Sequence, residues 1–443
     1  MTLTSAEYKE LYAKEAPPPF GKELKKYFGL DPEYANLNHG SYGTPPTPVS
    51  QAAYELSQEI ERNPDKFHRI TYMPKLIESR AQLAKLIGAH TDECVLVNNA
   101  TTGVYTVLRN IDWEEGDVLF ALSTTYAAVA KQVKYLADIK PHPKISAMPL
   151  VFPTTHEKIL EDFRACLRAA DVQVSPNNKR VVIIDSIISN PGILLPWKEM
   201  VKISREEGVY SIVDAAHSIG QEVDIDLEAA KPDFWVSNCH KWLFSRRSCA
   251  VLYIPFRNQH LIKTSIPTSE YYKPLAERDG DPNILAQFEW NGTIDFTAYL
   301  TIPDALAFRQ WLGGEHKINA YCHSLALQGG KYLAELWGTE LMDPEGTQTL
   351  NMVNVRLPLP SPSTFTYPPT VVKYVHTQLL VVHKVYSAWF LHNGELWTRC
   401  SAQVFNDISD FERVGKVWLD IAKDITQKFG EQANDKDVNQ LAS

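Results

Sequence analysis

The sequence lacks the motifs of several common functional classes. Its six cysteines are scattered, with no CxxC pair and no metal-like cluster, so we expect reduced thiols and no metal site. Neither a G-x-G-x-x-G loop nor a G-x-x-x-x-G-K-[ST] loop occurs between a predicted strand and a predicted helix. These absences argue against a disulfide-stabilised protein, a nicotinamide oxidoreductase and a P-loop nucleoside triphosphatase.

An excess of positive charge and long apolar runs are also absent. The formal net charge at pH 7 is −9, which argues against broad binding to nucleic acids or anionic membranes. No apolar stretch approaches the roughly 20 residues of a membrane-spanning helix. Residues 1–20 are charged and lack the apolar core of a secretory signal. We therefore expect a cytoplasmic protein with neither a nucleic-acid partner nor a membrane partner.

Short apolar runs alternate with helical segments between about residues 75 and 260. The runs are rich in β-branched residues and almost continuously apolar, as strands covered on both faces are. They are ECVLVNN, DVLFAL, RVVIIDSI, YSIVDA, DFWVSN and CAVLYIP. This alternation predicts a mainly parallel α/β sheet that binds its ligand at the carboxyl ends of the strands.

The pattern changes after residue 300. TIPDALAFRQWLG and HKINAYCHSLALQGGKYLAELWG predict long helices, and the proline-rich segment 356–369 predicts a loop. QLLVVHKVYSAWF and ELWTRCSAQVFN predict strands of a smaller domain. Because 443 residues exceed one simple core, we divide the chain into an N-terminal segment (1–60), a large sheet domain (61–305) and a smaller C-terminal α/β domain (306–443).

Two predicted strand ends carry reactive side chains of opposite charge. Asp214 ends the strand in SIVDAAHSIGQ, and Lys241 follows DFWVSN about one strand–helix–strand unit later. Adjacent parallel strands would present both groups at one sheet edge, where partial desolvation makes a lysine usable as a nucleophile or base. The alternatives are that Asp214 caps a following helix and that Lys241 is a solvated loop residue.

Two further strand ends point to a flat, phosphorylated ligand. In VNNATTGVYTVLRNI, residues Ala100, Thr101 and Thr102 open a predicted helix, whose free N–H groups and hydroxyls can cradle a phosphate. Simple capping by Thr101 or Thr102 is the alternative. Tyr126 ends another strand and could stack on a flat ligand or donate a proton, or be a packed loop tyrosine. Together with Asp214 and Lys241, these residues match the requirements of pyridoxal 5′-phosphate.

Six segments carry a resemblance to a known family, and they occur in order over nearly the whole chain. They are LNHGSYGTPP (37–46), NATTGVYTVLRN, DAAHSIGQ, SNCHKWL, WNGTIDF (290–296) and RCSAQVFN (399–406). The chain resembles class V aminotransferase-fold enzymes, most of all the isopenicillin N epimerase-like branch that includes fungal hercynylcysteine sulfoxide lyases and a loline-pathway enzyme. The resemblance implies the fold type I architecture of pyridoxal-phosphate-dependent transferases, with the cofactor bound in the large domain. It also implies a homodimer.

The resemblance implies a role for each matching residue. Lys241 would form the Schiff base with the cofactor and then shuttle the Cα proton, and Asp214 would keep the pyridine nitrogen protonated. The expected phosphate ligands are Ala100, Thr101, Thr102, Asn238 and His240, together with Thr293 of the neighbouring subunit. Tyr126 would lie near the ring as a candidate acid, with His217 packed close by.

The resemblance also assigns the substrate side of the site. Arg399 would bind the α-carboxylate of a small amino-acid-derived substrate, and the substrate mouth would be formed by the N-terminal segment through Asn38, His39, Gly40, Ser41 and Tyr42. The chain departs from its relatives at Arg246-Arg247-Ser248, where Pro-Arg-Gly is frequent, and at Ile294, where an arginine is common. Both departures lie near the expected dimer-facing site.

Several reactions can follow removal of the Cα proton. We favour β-elimination, which is C–S cleavage of a cysteine-sulfoxide-type substrate. The alternatives are a cyclase or γ-substitution enzyme of secondary (alkaloid) metabolism and an amino-acid epimerase, with transamination less favoured. A catalytically inactive cofactor-binding homologue is the alternative from another class. Retention of Lys241, Asp214 and Arg399 together argues against it.

Overall fold

The structure is a computed structural model and describes residues 3–169, 175, 178–268 and 272–429. Among these residues the strands are β1 (Ala35–Asn36), β2 (Cys94–Val97), β3 (Val118–Leu122), β4 (Lys144–Met148), β5 (Arg180–Asp185), β6 (Tyr210–Asp214), β7 (Phe234–Asn238), β8 (Ala250–Tyr253), β9 (Met352–Arg356), β10 (Val385–Tyr386), β11 (Ala388–His392) and β12 (Glu395–Ser401). The α-helices of the same residues are α1 (Ser5–Lys14), α2 (His39–Tyr42), α3 (Thr47–Arg62), α4 (Pro64–Lys66), α5 (Tyr72–Leu86), α6 (Ala100–Asn110), α7 (Ala127–Asp138), α8 (His156–Arg168), α9 (Trp197–Glu206), α10 (Leu227–Ala230), α11 (Ile284–Glu289), α12 (Thr297–Leu300), α13 (Ile302–Trp311), α14 (Gly314–Trp337), α15 (Pro369–Thr377) and α16 (Ile408–Phe429).

A large sheet of seven described strands has the order β2-β8-β7-β6-β5-β3-β4. Strand β8 runs antiparallel to both of its neighbours, and the other neighbouring pairs are parallel. The predicted mainly parallel α/β sheet is therefore confirmed. Asp185 and Asp214 are partners in the register of β5 and β6, so both lie at the carboxyl edge of the sheet.

Successive residues of the central strands pack into two hydrophobic clusters on opposite faces of the large sheet. On β6, Ile212 belongs to one cluster and Val213 to the other, and on β7 Phe234 and Trp235 divide in the same way. Full burial of one such side chain contributes roughly 1.5–3 kcal/mol. The carboxyl ends of these strands are thus held by a packed core on both faces.

The small sheet has the order β11-β12-β9, and its described strand pairs are antiparallel. Helices α14 and α16 pack with it around a separate hydrophobic cluster. The N-terminal segment runs alongside this part, since β1 pairs with β10 and Asn38 forms a bridge with Ser401. The domain boundaries at 60 and 305 stay predictions, and residues 430–443 of the expected C-terminal domain lie outside the described residues.

The predicted helices after residue 300 are present as α13 and α14, but the predicted strand QLLVVHKVYSAWF is partly wrong. Its first part, Gln378–Val382, continues helix α15 as a π-helical turn, and strand structure begins only at Val385. Leu379 is buried whereas Val381 is 71% exposed, so the apolar run does not mark a covered strand. Within the described residues no helix is long and apolar enough to cross a membrane.

Candidate active site

A cavity of about 250 Å³ opens at the carboxyl ends of β5, β6 and β7. The predicted site residues that line it are Ser41, Tyr42, Ala100, Thr101, Tyr126, Asp214, His217, Asn238, His240 and Lys241. Asp185 and Ser189 also line it, although neither was singled out from the sequence. No group of three or more side chains able to hold a metal ion occurs among the residues that the structure describes.

Lys241 lies in this cavity, and residues of the N-terminal segment contact the backbone at Lys241 and His240. Its carbonyl oxygen accepts a hydrogen bond from His39 Nε2 at 2.8 Å. A Cβ added at Gly43, whose φ is +65°, would lie 1.8 Å from the His240 carbonyl oxygen, so only glycine allows this close approach. Burial, followed by the charge of Arg399, lowers the pKa of the Lys241 amine to about 7 against the opposing effect of Asp214.

His217 contacts both Lys241 and the buried Trp242. Its Nε2 lies 3.1 Å from Lys241 Nζ, and its Nδ1 accepts a hydrogen bond from Trp242 Nε1 at 3.2 Å. The imidazole is 1% exposed. Burial first, and then the charges of Lys241, Arg399 and His240, hold the pKa of His217 well below its ordinary value. His217 is therefore a neutral imidazole in this site.

Two buried carboxyl groups share the strand edge. Asp214 Oδ1 accepts a hydrogen bond from the Ala216 N–H at 3.1 Å, and Thr125 Oγ1 donates to Asp185 Oδ2 at 3.2 Å. Burial raises the pKa of both carboxyl groups, and the neighbouring Asp214 charge raises that of Asp185 further. Two adjacent buried carboxylates do not both ionise readily, and the upward pKa shift is the larger for Asp185.

The segment after Asp214 excludes one of the sequence alternatives. Residues 215–226 form turns and irregular structure rather than an α-helix, so Asp214 does not cap a helix there. Lys241 lines a cavity at the sheet edge, which also excludes a fully solvated loop lysine. Both alternatives were wrong because they considered each strand end alone, whereas the register brings the two strand ends together.

The N-terminus of helix α6 forms another wall of the cavity. Its N-cap is Asn99, whose side chain accepts from the Thr102 N–H at 2.8 Å, so the alternative of capping by Thr101 or Thr102 was wrong. Asn238 Oδ1 accepts from the Ala100 N–H at 2.9 Å and thus ties the strand β7 end to this helix. The Thr101 residue lines the cavity directly, as does His240.

Arg399, on strand β12, is a buried cation with neutral hydrogen-bond partners. Its Nη1 donates to the Ser189 carbonyl oxygen at 2.6 Å, and its Nη2 donates to Asn38 Oδ1 at 3.0 Å and Ser41 Oγ at 2.8 Å. Its side chain is 1% exposed and its Nε has no hydrogen-bond partner among the described residues. Burial lowers the pKa of the guanidinium to about 10, where it remains charged at neutral pH. A buried guanidinium whose described hydrogen-bond partners are all neutral has a positive charge that an anion could neutralise.

Some predicted residues lie outside the cavity wall, among them Asn38 and Arg399, which lie behind the cavity residue Ser41. His39 is buried beneath Lys241, and Gly40 packs where an added Cβ would lie 2.9 Å from Met352 Sδ. Thr102 and Thr293 are exposed and do not line the cavity of their own chain. The structure thus gives His39 and Gly40 a supporting position, and it leaves the predicted role of Thr293 in a neighbouring subunit as a prediction.

The departures from the relatives have distinct structural settings. Arg246 donates its backbone N–H to Thr301 Oγ1 at 3.5 Å. The next residue, Arg247, matches the arginine of Pro-Arg-Gly, and its Nη2 donates to the Gly43 carbonyl oxygen at 2.8 Å beside Tyr42. Ser248 has φ = 70°, a conformation that favours glycine, the residue that the resemblance led us to expect there. Ile294 is partly buried and packs against the larger core. None of the three departing residues, Arg246, Ser248 and Ile294, lines the described cavity.

The mainly parallel sheet with a lysine-lined cavity at its carboxyl edge defines an α/β fold. The family model described as aminotransferase class-V matches residues 43–365. The chain belongs to the class V aminotransferase family, which confirms the resemblance seen in the sequence.

Two curated relatives match over most of the chain. An L-cysteine desulfhydrase-like protein of Epichloe uncinata is 34% identical over 93% of this chain and 97% of that protein. The hercynylcysteine sulfoxide lyase of Schizosaccharomyces pombe is 33% identical over 90% of this chain and 97% of that protein.

Solved structures share the fold at lower identity. A cysteine desulfurase from Thermococcus onnurineus has a TM-score of 0.68 at 18% identity and covers 92% of this chain and 100% of its own. A cystine C–S lyase in complex with cysteine persulfide has a TM-score of 0.69 at 17% identity, covering 87% and 97% respectively. These two likenesses establish the fold.

Proposed function

We propose that this protein is a pyridoxal-phosphate-dependent C–S lyase that cleaves the Cβ–S bond of a cysteine-sulfoxide-type amino acid. The observation that carries the proposal is the buried guanidinium of Arg399, which donates to the cavity residues Ser41 and Ser189, beside a cavity lysine whose amine has a pKa of about 7. An α-amino acid supplies the carboxylate for the first group. The names of the two curated relatives, a desulfhydrase-like protein and a sulfoxide lyase, support sulfur chemistry at Cβ.

The side chains of the cavity fit pyridoxal phosphate. A protonated pyridine nitrogen requires a carboxylate, and Asp214 is the more readily ionised of the two buried carboxyl groups. A phosphate requires hydrogen-bond donors, which the α6 N-terminus offers through Thr101, with Ala100, Asn238 and His240 beside it. The aldehyde requires a neutral amine, which Lys241 provides. When bound, the cofactor would supply an electron-withdrawing ring that stabilises negative charge at the substrate Cα.

Binding of the substrate falls to residues around Arg399. Its guanidinium would hold the α-carboxylate, while Asn38, Ser41 and Ser189 keep the guanidinium plane in place through the three shortest of its hydrogen bonds. Because the partners are neutral oxygens, the cation keeps its attraction for a substrate anion. The mouth residue Tyr42, which is 70% exposed, would border the substrate side chain.

Proton transfer falls to Lys241 and Tyr126. The neutral Lys241 amine would take the proton from the substrate Cα, and the Tyr126 hydroxyl is the candidate donor to the departing sulfur. Overall, the substrate and one water would yield pyruvate, ammonia and the protonated sulfur fragment, so that no external oxidant or reductant is required. We assign Tyr126 this role because it lines the cavity and is 47% exposed.

We further propose a homodimer in the cytoplasm. Gly292 and Thr293 do not line the cavity of their own chain, and Thr293 is exposed, which suits a contact with the site of a second subunit. All six cysteines are free, which suits a reducing compartment. Light scattering coupled to gel filtration would measure the mass of the assembly, and a monomer at micromolar concentration would contradict the shared site.

The decisive experiment is a substrate panel on purified, cofactor-loaded protein. We expect pyruvate and ammonia in equal amounts from a cysteine S-oxide, with L-cysteine as the comparison that separates a desulfhydrase from a sulfoxide lyase. Exchange of the Cα hydrogen for deuterium without pyruvate would instead indicate an epimerase. A protein that takes up no pyridoxal phosphate, judged by the absence of a visible absorption band, would refute the proposal.

A further inference from the structure

Trp242 directly follows the candidate lysine in sequence, and its side chain reaches the far side of His217. The indole Nε1 donates to His217 Nδ1 at 3.2 Å, while His217 Nε2 lies 3.1 Å from Lys241 Nζ. His217 and Trp242 are 1% and 0% exposed, so bulk water does not compete for these hydrogen bonds. The three side chains form a chain of contacts that ends at the lysine amine.

The indole determines which nitrogen of His217 carries the proton. An indole N–H can only donate, so Nδ1 must offer a lone pair to receive it. His217 is neutral and therefore has a single ring proton, which has to lie on Nε2. That proton points to the Lys241 amine. An ammonium group has three donors and no acceptor, whereas a neutral amine has a lone pair that can accept from Nε2–H.

We infer that Trp242 is a positioning residue that, by fixing the His217 tautomer, keeps the Lys241 amine in its neutral, nucleophilic form. The catalytic role of this amine rests on the proposed function. The inference concerns the titration of the amine itself, which can be measured without turnover. Trp242 does not line the cavity, and its indole N–H reaches the lysine amine through His217. Its ring also packs edge-on against His39 at 5.4 Å, a contact that phenylalanine can keep.

The other titratable groups near Lys241 act independently of this contact. Asp214 and Asp185 lie at the ends of β6 and β5, Arg399 lies on β12, His240 precedes the lysine, and Tyr42 and Tyr126 stand at the mouth. The charge of Asp214 raises the pKa of the Lys241 amine, and the charge of Arg399 lowers it. Removal of the indole N–H leaves all of these groups in place, so a change in the lysine titration would report on the His217 tautomer.

The first test uses the unaltered, full-length protein freed of cofactor and labelled with ¹⁵N at histidine. We expect the His217 signals, assigned by their loss in His217→Gln, to show an unprotonated Nδ1 and a protonated Nε2 at neutral pH. A protonated Nδ1 would overturn the inference. This measurement does not require any tryptophan variant to fold.

The second test compares Trp242→Phe with Trp235→Phe in the same cofactor-free protein. Both tryptophans are 0% exposed, and Trp235 Nε1 has no hydrogen-bond partner among the described residues. Trp235→Phe therefore removes the same volume as Trp242→Phe without breaking a hydrogen bond. In Trp242→Phe, His217 can place its proton on Nδ1 and accept from the ammonium through Nε2. We expect the pKa of the Lys241 amine to rise by about one unit, since a hydrogen bond to a charged group is worth about 1.5 kcal/mol.

The amine is titrated by trace acetylation at a series of pH values, with the Lys241 peptide quantified by mass spectrometry and folding checked by circular dichroism. An upward shift in Trp242→Phe alone supports the inference. Equal titration curves in Trp242→Phe and the unaltered protein, or equal shifts in both variants, would overturn it. Failure of the protein to take up pyridoxal phosphate would refute the proposed function and leave this comparison valid.

Discussion

Replacement of Arg399 by glutamine tests the proposed carboxylate site most directly. Glutamine keeps a polar side chain that can still bond to Asn38 and Ser41, but it removes the positive charge and the planar fork of donors. The carboxylate of a bound substrate would then enter a buried site without its counter-charge. The ligand-free protein would lose a buried cation that has only neutral partners, so we expect the fold to tolerate the change.

The size of the effect follows from the burial of the guanidinium. Removal of one partner from a buried ion pair costs about 3–5 kcal/mol. The cavity is partly open, so we take the lower end, about 3 kcal/mol, which corresponds to about a 100-fold fall in kcat/KM at 1.4 kcal/mol per tenfold. Most of this loss should appear as a higher KM, because the carboxylate is bound in both the ground state and the transition state.

The assay compares an amino-acid substrate with its carboxamide, which has nearly the same shape and no negative charge. The kcat/KM of the unaltered enzyme should be about 100-fold higher for the acid than for the carboxamide. In Arg399→Gln the two values should be nearly equal, because the counter-charge of the carboxylate is gone. Arg356→Gln is the matched control, since Arg356 lies on the adjoining strand β9 and pairs with Glu340 at 3.2 Å near the surface. An unchanged acid-to-amide ratio in Arg399→Gln would refute the assignment.

Three other outcomes follow from the site and its surroundings. Lys241→Ala should abolish pyruvate release, and a variant that keeps full turnover would show that this lysine is not the reacting amine. Because the reactive form of Lys241 is the neutral amine and its pKa is about 7, turnover should rise as the pH increases through about 7, and a flat rate between about pH 6 and 8 would contradict this reasoning. Ser248→Gly should raise the free energy of unfolding by about 1 kcal/mol in urea titrations, since φ = 70° is costly for a residue with a Cβ, and an unchanged midpoint would show that the loop carries no such strain.

Much of the large domain follows from local pattern. Continuous apolar runs such as RVVIID and SIVD predicted covered strands, and the alternation with helices predicted a parallel sheet, both of which the structure confirms. The small domain was harder, because QLLVV has high β-propensity yet lies on the surface as a helical turn. Propensity alone does not reveal which apolar residues find a partner surface.

Asp185 was missed although its signal was present. It ends an apolar strand in the same way as Asp214, and a search for every carboxylate at a strand end would have found it. Its effect on the site, however, depends on the register that places it beside Asp214. Sequence spacing gives the order of the strands along the chain and leaves their lateral order in the sheet open.

Local sequence specified the candidate reactive groups, the strands that carry them and, through the resemblance to known enzymes, the family. These properties depend on short segments, because backbone conformational preferences and the apolar pattern operate over only a few residues. Tertiary structure alone decided that Arg399 meets Asn38 across 361 positions, and that Trp242 and Lys241 contact opposite nitrogens of His217. These contacts arise from packing of distant segments around several hydrophobic clusters. The charge of Arg399, the proton of His217 and the pKa of Lys241 therefore depend on burial and neighbours that no local pattern specifies.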